Sequence, residues 1–119
     1  MINLANKRIL IVEDEVVIAM MLQDMLADME AVVVGPAYNL KSGLELAEFA
    51  EIDGAVLDVN LGNGTSADIA DLLASRKIPF MLATGYGQAT DNKHKVPVLQ
   101  KPCLKHDLEF AFSRLFQEQ

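Results

Sequence analysis

The sequence has no tryptophan, two tyrosines and five phenylalanines among 119 residues. A flavin or nucleobase sandwiched between rings would have few rings to draw on. There is one cysteine, Cys103, so no internal disulfide forms. The expected role for that thiol is partly buried packing. Ten lysines and arginines stand against 17 aspartates and glutamates, for a net charge of −7, and the basic residues do not cluster. This speaks against nucleic acid as a direct partner. No apolar run approaches the roughly 20 residues of a membrane span. The opening MINLANKRILIVEDE has no uninterrupted apolar signal core. The expectation is a cytoplasmic protein with no membrane contact.

Half of the residues, 51%, are hydrophobic, enough for a proper core. The length suits one domain, expected over 1–119 with no output domain. Short apolar runs alternate with helix-period segments. Arg8–Val12 (RILIV), Ala31–Val34 (AVVV, stopped by Gly35-Pro36), Gly54–Val59, Pro79–Ala83 (PFMLA) and Val96–Leu99 read as strands, the last broken by Pro97 and so placed at an edge. Between them, Ile18, Leu22, Met25, Leu26 and Met29 recur at helical spacing, as do Leu40, Leu44 and Ala47. The methionines suit flexible core filler. Thr65 or Ser66 caps a third helix ending near Arg76. Gln88 to Lys93 makes only a short helix, and Lys105–Phe116 is the last, with Leu108, Ala111, Phe112 and Leu115 inward. Phe110 and Phe116 are either core or part of a partner or dimer face.

Serial βα units imply a parallel sheet covered on both faces, with right-handed crossovers. The expected class is an α/β, (βα)5 flavodoxin-like fold, order 2-1-3-4-5, with its crevice at the carboxyl ends of the strands. Glu13, Asp14 and Glu15 follow strand one. Strand three reaches Asp58, with Asn60 two residues on. Thr84 and Gly85 follow strand four, and Lys101 and Pro102 follow strand five. Carboxylates gathered in one crevice repel unless protons or a cation neutralise them. A hard divalent ion, Mg²⁺ before Mn²⁺ or Ca²⁺, is the natural solution. A hydroxyl and an ammonium beside it would hold phosphoryl oxygens. Together these groups suit phosphoryl transfer onto Asp58 as an aspartyl phosphate.

Four segments, ILIVEDE, AVLDVNL, MLATGYG and VLQKPC, resemble the motifs of the response-regulator receiver (CheY-like) family over the whole chain. The resemblance implies a phosphoacceptor at Asp58. It implies Mg²⁺ held by Asp14, by Glu13 through water, by Asp58 and by the backbone carbonyl of Asn60. Thr84 and Lys101 would bind phosphoryl oxygens, and the Lys101-Pro102 peptide would be cis. Such proteins signal in two-component systems. They are phosphorylated by a sensor histidine kinase or a histidine phosphotransfer protein, and they act as signalling proteins with slow autodephosphorylation rather than as enzymes.

Two departures stand out. Glu13 takes the place of a common aspartate, and Val98 stands where many receivers carry an aromatic switch. PFMLATGYG is similar to the alphaproteobacterial FATGUY receivers, with Leu82 replacing the Phe. That subgroup implies a stand-alone receiver paired with an HWE/HisKA2-type kinase. Without the aromatic at 98, the expected switch is inward movement of Thr84 and ordering of the segment from Gln88 to Lys93, with Tyr86 as a replacement aromatic or partner contact. His94 and His106 are expected as solvated loop or helix-end residues.

The alternative is a phosphorylation-independent adaptor, a pseudo-receiver that binds its partner regardless of Asp58. A flavodoxin-like binder using LGNGTS as a phosphate loop is a further reading. Against it stand the placement of that loop after strand three and the acids after strand one. The downstream target is open between a protein effector and a phosphate sink.

Overall fold

The computed structural model describes residues 3–62, 64–85 and 93–116. Arg8–Val12 (β1), Val32–Ala37 (β2), Gly54–Asp58 (β3), Phe80–Thr84 (β4) and Val98–Gln100 (β5) form one sheet in the order β2-β1-β3-β4-β5. Every neighbouring pair is parallel. This is the expected 2-1-3-4-5 order. β3 and β4 are buried along their whole length. Strands covered on both faces read as continuous apolar runs rather than alternating ones, which is why GAVLD and FMLAT carry almost no polar residue before their last position.

Side chains leave alternate faces of each strand, and the core is divided accordingly. Leu10, Val12, Leu57 and Leu82 face one way, toward Ala47 of α2 (Leu40–Phe49) and Ile69 and Leu73 of α3 (Ala67–Ser75). Ile9, Ile11, Val56, Met81 and Leu99 face the other, toward Leu22 and Leu26 of α1 (Val16–Asp28) and Leu108 and Phe112 of α4 (Lys105–Phe116). Among the described residues there are these four helices. Most of the short helix expected from Gln88 to Lys93 lies outside them.

Local chemistry ties down the helix ends. Asn39 accepts a hydrogen bond from the Ser42 N–H at 2.8 Å, capping α2. At the other end the Arg76 guanidinium donates to the carbonyls of Ala47 and Ala50. Thr65, not Ser66, makes the side-chain bond at the start of α3, accepting from the Ala67 N–H at 3.3 Å.

Three expectations need correction. β2 does not stop at Gly35-Pro36 but continues to Ala37. Gly35 has φ +97°, and the register with β1 shifts between Leu10 and Val12. Glycine tolerates that left-handed geometry, and a bulge on an edge strand accommodates a residue with no N–H. β5 begins only at Val98; Pro97 precedes it and accepts from the Leu82 N–H at 2.9 Å. His94 is not a solvated loop residue. Its Nε2 is 2.8 Å from Asp71 Oδ1, and its ring packs edge-on to Phe80. Of the methionines on α1's apolar spacing, Met29 is buried and Met25 packs against the same cluster, as expected; Met20 and Met21 lie on the exposed side.

Phe110 and Phe116 also part company. Phe110 is 66% exposed. Phe116 stacks on Phe112 at 5.9 Å, with Lys7 over its ring. Cys103 is half-buried against the α1/α4 core, and burial pushes its thiol pKa up.

Candidate functional site

In a parallel sheet every strand delivers its C-terminal residue to the same edge. Glu13 and Asp14 follow β1, Asp58 ends β3, Thr84 ends β4 and Lys101 follows β5. Glu13 and Asp58 are each 1% exposed. One oxygen from each of Glu13, Asp14 and Asp58 lies within 4.8 Å of the other two. Gly62, at φ +86°, brings the β3–α3 loop against this cluster: a Cβ there would stand 3.5 Å from Asp14 Oδ2.

The two oxygens of Asp58 differ. Oδ1 accepts from the Asn60 N–H at 3.3 Å and lies 3.2 Å from Lys101 Nζ. Oδ2 is buried with no hydrogen-bond partner. Burial, the adjoining Asp14 carboxyl and the charge of Glu13 push the Asp58 carboxyl up to about 7, against the pull of Lys101. A buried acceptor without a donor costs free energy, and clustered carboxylates repel. A hard cation with oxygen ligands answers both demands, and the set of donors here is all oxygen.

Lys101 is the counter-charge. Its Nζ donates to both oxygens of Glu13 at 3.2 Å and to Glu15 Oε1 at 3.1 Å. Burial alone would lower its pKa, but the hydrogen bond to Glu15 and the charges of Glu13 and Asp58 hold it above the ordinary lysine value. Backbone bonding aligns it: the Lys101 N–H donates to the Thr84 carbonyl at 2.8 Å. The Lys101-Pro102 peptide is cis.

Thr84 is buried beside this crevice, its hydroxyl 3.5 Å from the Gly85 carbonyl. The Asn60 side chain is occupied in the loop, its Oδ1 accepting from the Gly62 N–H at 2.9 Å. Val98 is exposed on β5, opposite Leu82, and Pro102 is exposed. Tyr86 lies outside the described residues. In the sequence, Glu15 is marked only by its place in the acidic run after β1. Its reach to Lys101 is the only sign of its part, and that appears in three dimensions alone.

Residues 9–109 match the response regulator receiver domain family. The chain belongs to that family. It is 35% identical over 83 residues to the transcriptional regulatory protein PdtaR of Mycobacterium tuberculosis, an alignment covering 69% of this chain and 40% of that protein. The chain thus spans well under half the length of the curated relatives it matches. Among solved structures it resembles SdrG from Sphingomonas melonis Fr1, with a TM-score of 0.84, 42% identity, and coverage of 92% of this chain and 96% of that one. A response regulator receiver protein from Sinorhizobium medicae WSM419 shares the fold, with a TM-score of 0.83 at 21% identity and coverage of 94% and 95%.

Receiver domains generally bind Mg²⁺ at an acidic pocket and interact with histidine kinases or phosphotransfer proteins, and Glu13, Asp14 and Asp58 form an acidic cluster at the corresponding edge of the sheet. Among the described residues, no helix is long and apolar enough to cross a membrane.

Proposed function

We propose that this receiver accepts a phosphoryl group on Asp58 in a Mg²⁺-dependent reaction, with a histidine kinase or histidine phosphotransfer protein as donor. The observation that carries the reading is the buried, partnerless Oδ2 of Asp58 inside a three-carboxylate cluster faced by one ammonium. A purely structural aspartate at a strand end gains nothing from such surroundings. Asp14, Asp58, the Asn60 carbonyl and, through water, Glu13 would hold the cation, which would supply charge neutralisation for the carboxylates and the transferred oxygens.

The chain's own groups do the rest. A carboxylate oxygen of Asp58 attacks phosphorus in line. The P–N bond of the donor phosphohistidine breaks, and the departing imidazole nitrogen keeps the bonding electron pair and is protonated from solvent. Lys101 loosens from Glu13 and Glu15 and donates to a phosphoryl oxygen, and the Thr84 hydroxyl donates to another. Hydrolysis of the acyl phosphate later returns the free carboxylate. The added charge of about −1.5 to −2 is the signal. It is read through phosphorylation-dependent binding of another protein, or drained as a phosphate sink.

The pattern PFMLATGYG, Val98 in place of an aromatic, and the 42% identity to SdrG support membership of the FATGUY subgroup, and with it an HWE/HisKA2-type kinase as donor.

The test is intact mass after incubation with Mg²⁺ and acetyl phosphate, beside Asp58→Asn. A Mg²⁺-dependent gain of one phosphoryl group, absent in the variant, is the expected result. No gain from acetyl phosphate or from an HWE-type kinase would overturn the reading in favour of a phosphorylation-independent adaptor.

A further inference from the structure

Three acids touch Lys101, and Glu15 stands apart from the other two. Glu13 and Asp58 are each 1% exposed and belong to the carboxylate cluster. The Glu15 side chain is 63% exposed and lies outside that cluster, with Oε1 3.1 Å from Lys101 Nζ. Its backbone is held on both sides. The Glu15 N–H donates to Glu13 Oε2 at 3.0 Å, and the Glu15 carbonyl accepts from the Ala19 N–H at 3.0 Å as α1 begins. The carboxylate therefore stands in water at the mouth of the crevice, on a fixed root. The exposed residues that follow it, Val16 and Val17, carry no charge, so they do nothing to offset it.

A phosphoryl oxygen bound by Lys101 would lie about 2.8 Å from Nζ, and so within about 6 Å of Glu15 Oε1. At that range, and at the dielectric of water, one carboxylate slows the approach of a donor about threefold for each negative charge the donor carries. The penalty grows with donor charge, and salt screens it. Glu15 also accepts a hydrogen bond from the ammonium that the phosphoryl oxygen must win.

We propose that Glu15 screens small phosphodonors by charge, disfavouring dianions such as acetyl phosphate against donors of lower charge. It is a positioning residue, acting through Lys101 and through its own field. The inference rests on Asp58 as the phosphoacceptor. With acetyl phosphate, an Asp58 oxygen attacks phosphorus, the P–O bond breaks, and acetate leaves with the electron pair. With phosphoramidate, which carries one net negative charge at neutral pH, the P–N bond breaks. Ammonia leaves with the pair, its nitrogen already protonated. The phosphoryl group delivered is the same, and the donors differ in charge.

The test is the initial rate of phosphorylation of the full chain by each donor, below saturation, in Mg²⁺ at low ionic strength, followed by intact mass. Glu15→Gln keeps the shape and removes the charge. It should speed acetyl phosphate about tenfold and phosphoramidate about threefold. Glu15→Lys should widen the gap further. Glu15→Asp keeps the charge on a shorter stem and should keep the wild-type ratio of the two rates. In about 1 M salt, where the Debye length is about 3 Å, the ratios of wild type and Glu15→Gln should converge. With neither donor nor Mg²⁺ present, the NMR signal of Lys101 Nζ should move in Glu15→Gln.

A merely structural role for Glu15 would change both rates alike. A ratio unchanged in Glu15→Gln would therefore overturn the inference. So would a change that persists undiminished in high salt, a Glu15→Asp variant that behaves like Glu15→Gln, or an unmoved Lys101 signal. If wild type takes a phosphoryl group from neither small donor, Glu15→Gln must take one from acetyl phosphate, and a variant as inert as wild type overturns the inference. The reading of Asp58 falls separately, only if a histidine kinase fails to phosphorylate the protein as well.

Discussion

Lys101 Nζ lies 3.2 Å from Asp58 Oδ1, although β4 separates the strands that carry the two residues. With Asp58 1% exposed and the lysine side chain 11% exposed, this ammonium is the counter-charge of a buried acidic cluster. Its removal leaves carboxylates without compensation. Lys101→Met should lower stability by about 3 kcal/mol without divalent ions, in the range for breaking a buried pair. Added Mg²⁺ should restore part of the loss, because it replaces the missing charge. Urea unfolding in EDTA and in excess Mg²⁺ checks both halves.

The opposite change relieves the cluster. Asp58→Asn removes one of three mutually repelling carboxylates and should stabilise the metal-free protein by about 1 kcal/mol. The same variant should accept no phosphoryl group. A gain in urea midpoint in EDTA together with a flat mass spectrum is the expected pair of results. A clear loss of stability would mean that the Asp58 charge is better compensated than its neighbours imply.

Mg²⁺ itself should stabilise the fold by mass action, by about 1.4 kcal/mol at ten times its dissociation constant. Asp14 contributes an oxygen to the cluster without the Lys101 bonds that Glu13 makes. Asp14→Asn should therefore raise the metal-free unfolding midpoint, as Asp58→Asn does, while shifting the Mg²⁺ titration to higher concentration by about tenfold or more. Thermal unfolding at stepped Mg²⁺ concentrations reads this directly, and EDTA should return wild type to its metal-free midpoint.

Away from the crevice, Asp71 on α3 is paired with His94 and Lys93. The hydrogen bond from His94 and then that from Lys93 lower its pKa below the ordinary 3.8. A depressed carboxyl pKa gives stability that is present above the unfolded value and lost as pH falls through the folded one. This contact should therefore hold at neutral pH and fail only below about pH 4. In His94→Ala the Asp71 midpoint should move back up toward 3.8. Carbon-detected NMR titration of the Asp71 carboxyl measures it.

Much of this site was legible before any coordinates, and the reason is geometric. Five apolar runs separated by helical segments allow few arrangements, and a parallel sheet sends every strand end to one edge. Once GAVLD was recognised as a buried strand, the place of Asp58 followed, together with Glu13, Asp14, Thr84 and Lys101. The run through Gly35-Pro36 reads as a strand end because those residues usually end one. Here a left-handed glycine and an edge bulge let pairing continue.

Other features belong to tertiary structure alone. Nothing in the order of residues says that Glu15 reaches Lys101, that His94 turns toward Asp71, or that Phe116 stacks inward while Phe110 faces water. Each depends on contacts between residues far apart in the chain, or on which few degrees of a helix face the sheet. Hydrophobic periodicity determines which elements form and which faces are buried, because burial of apolar area is the largest favourable term in folding. The partners of individual charges and rim residues are set by differences of order 1 kcal/mol, and only the packed structure decides them.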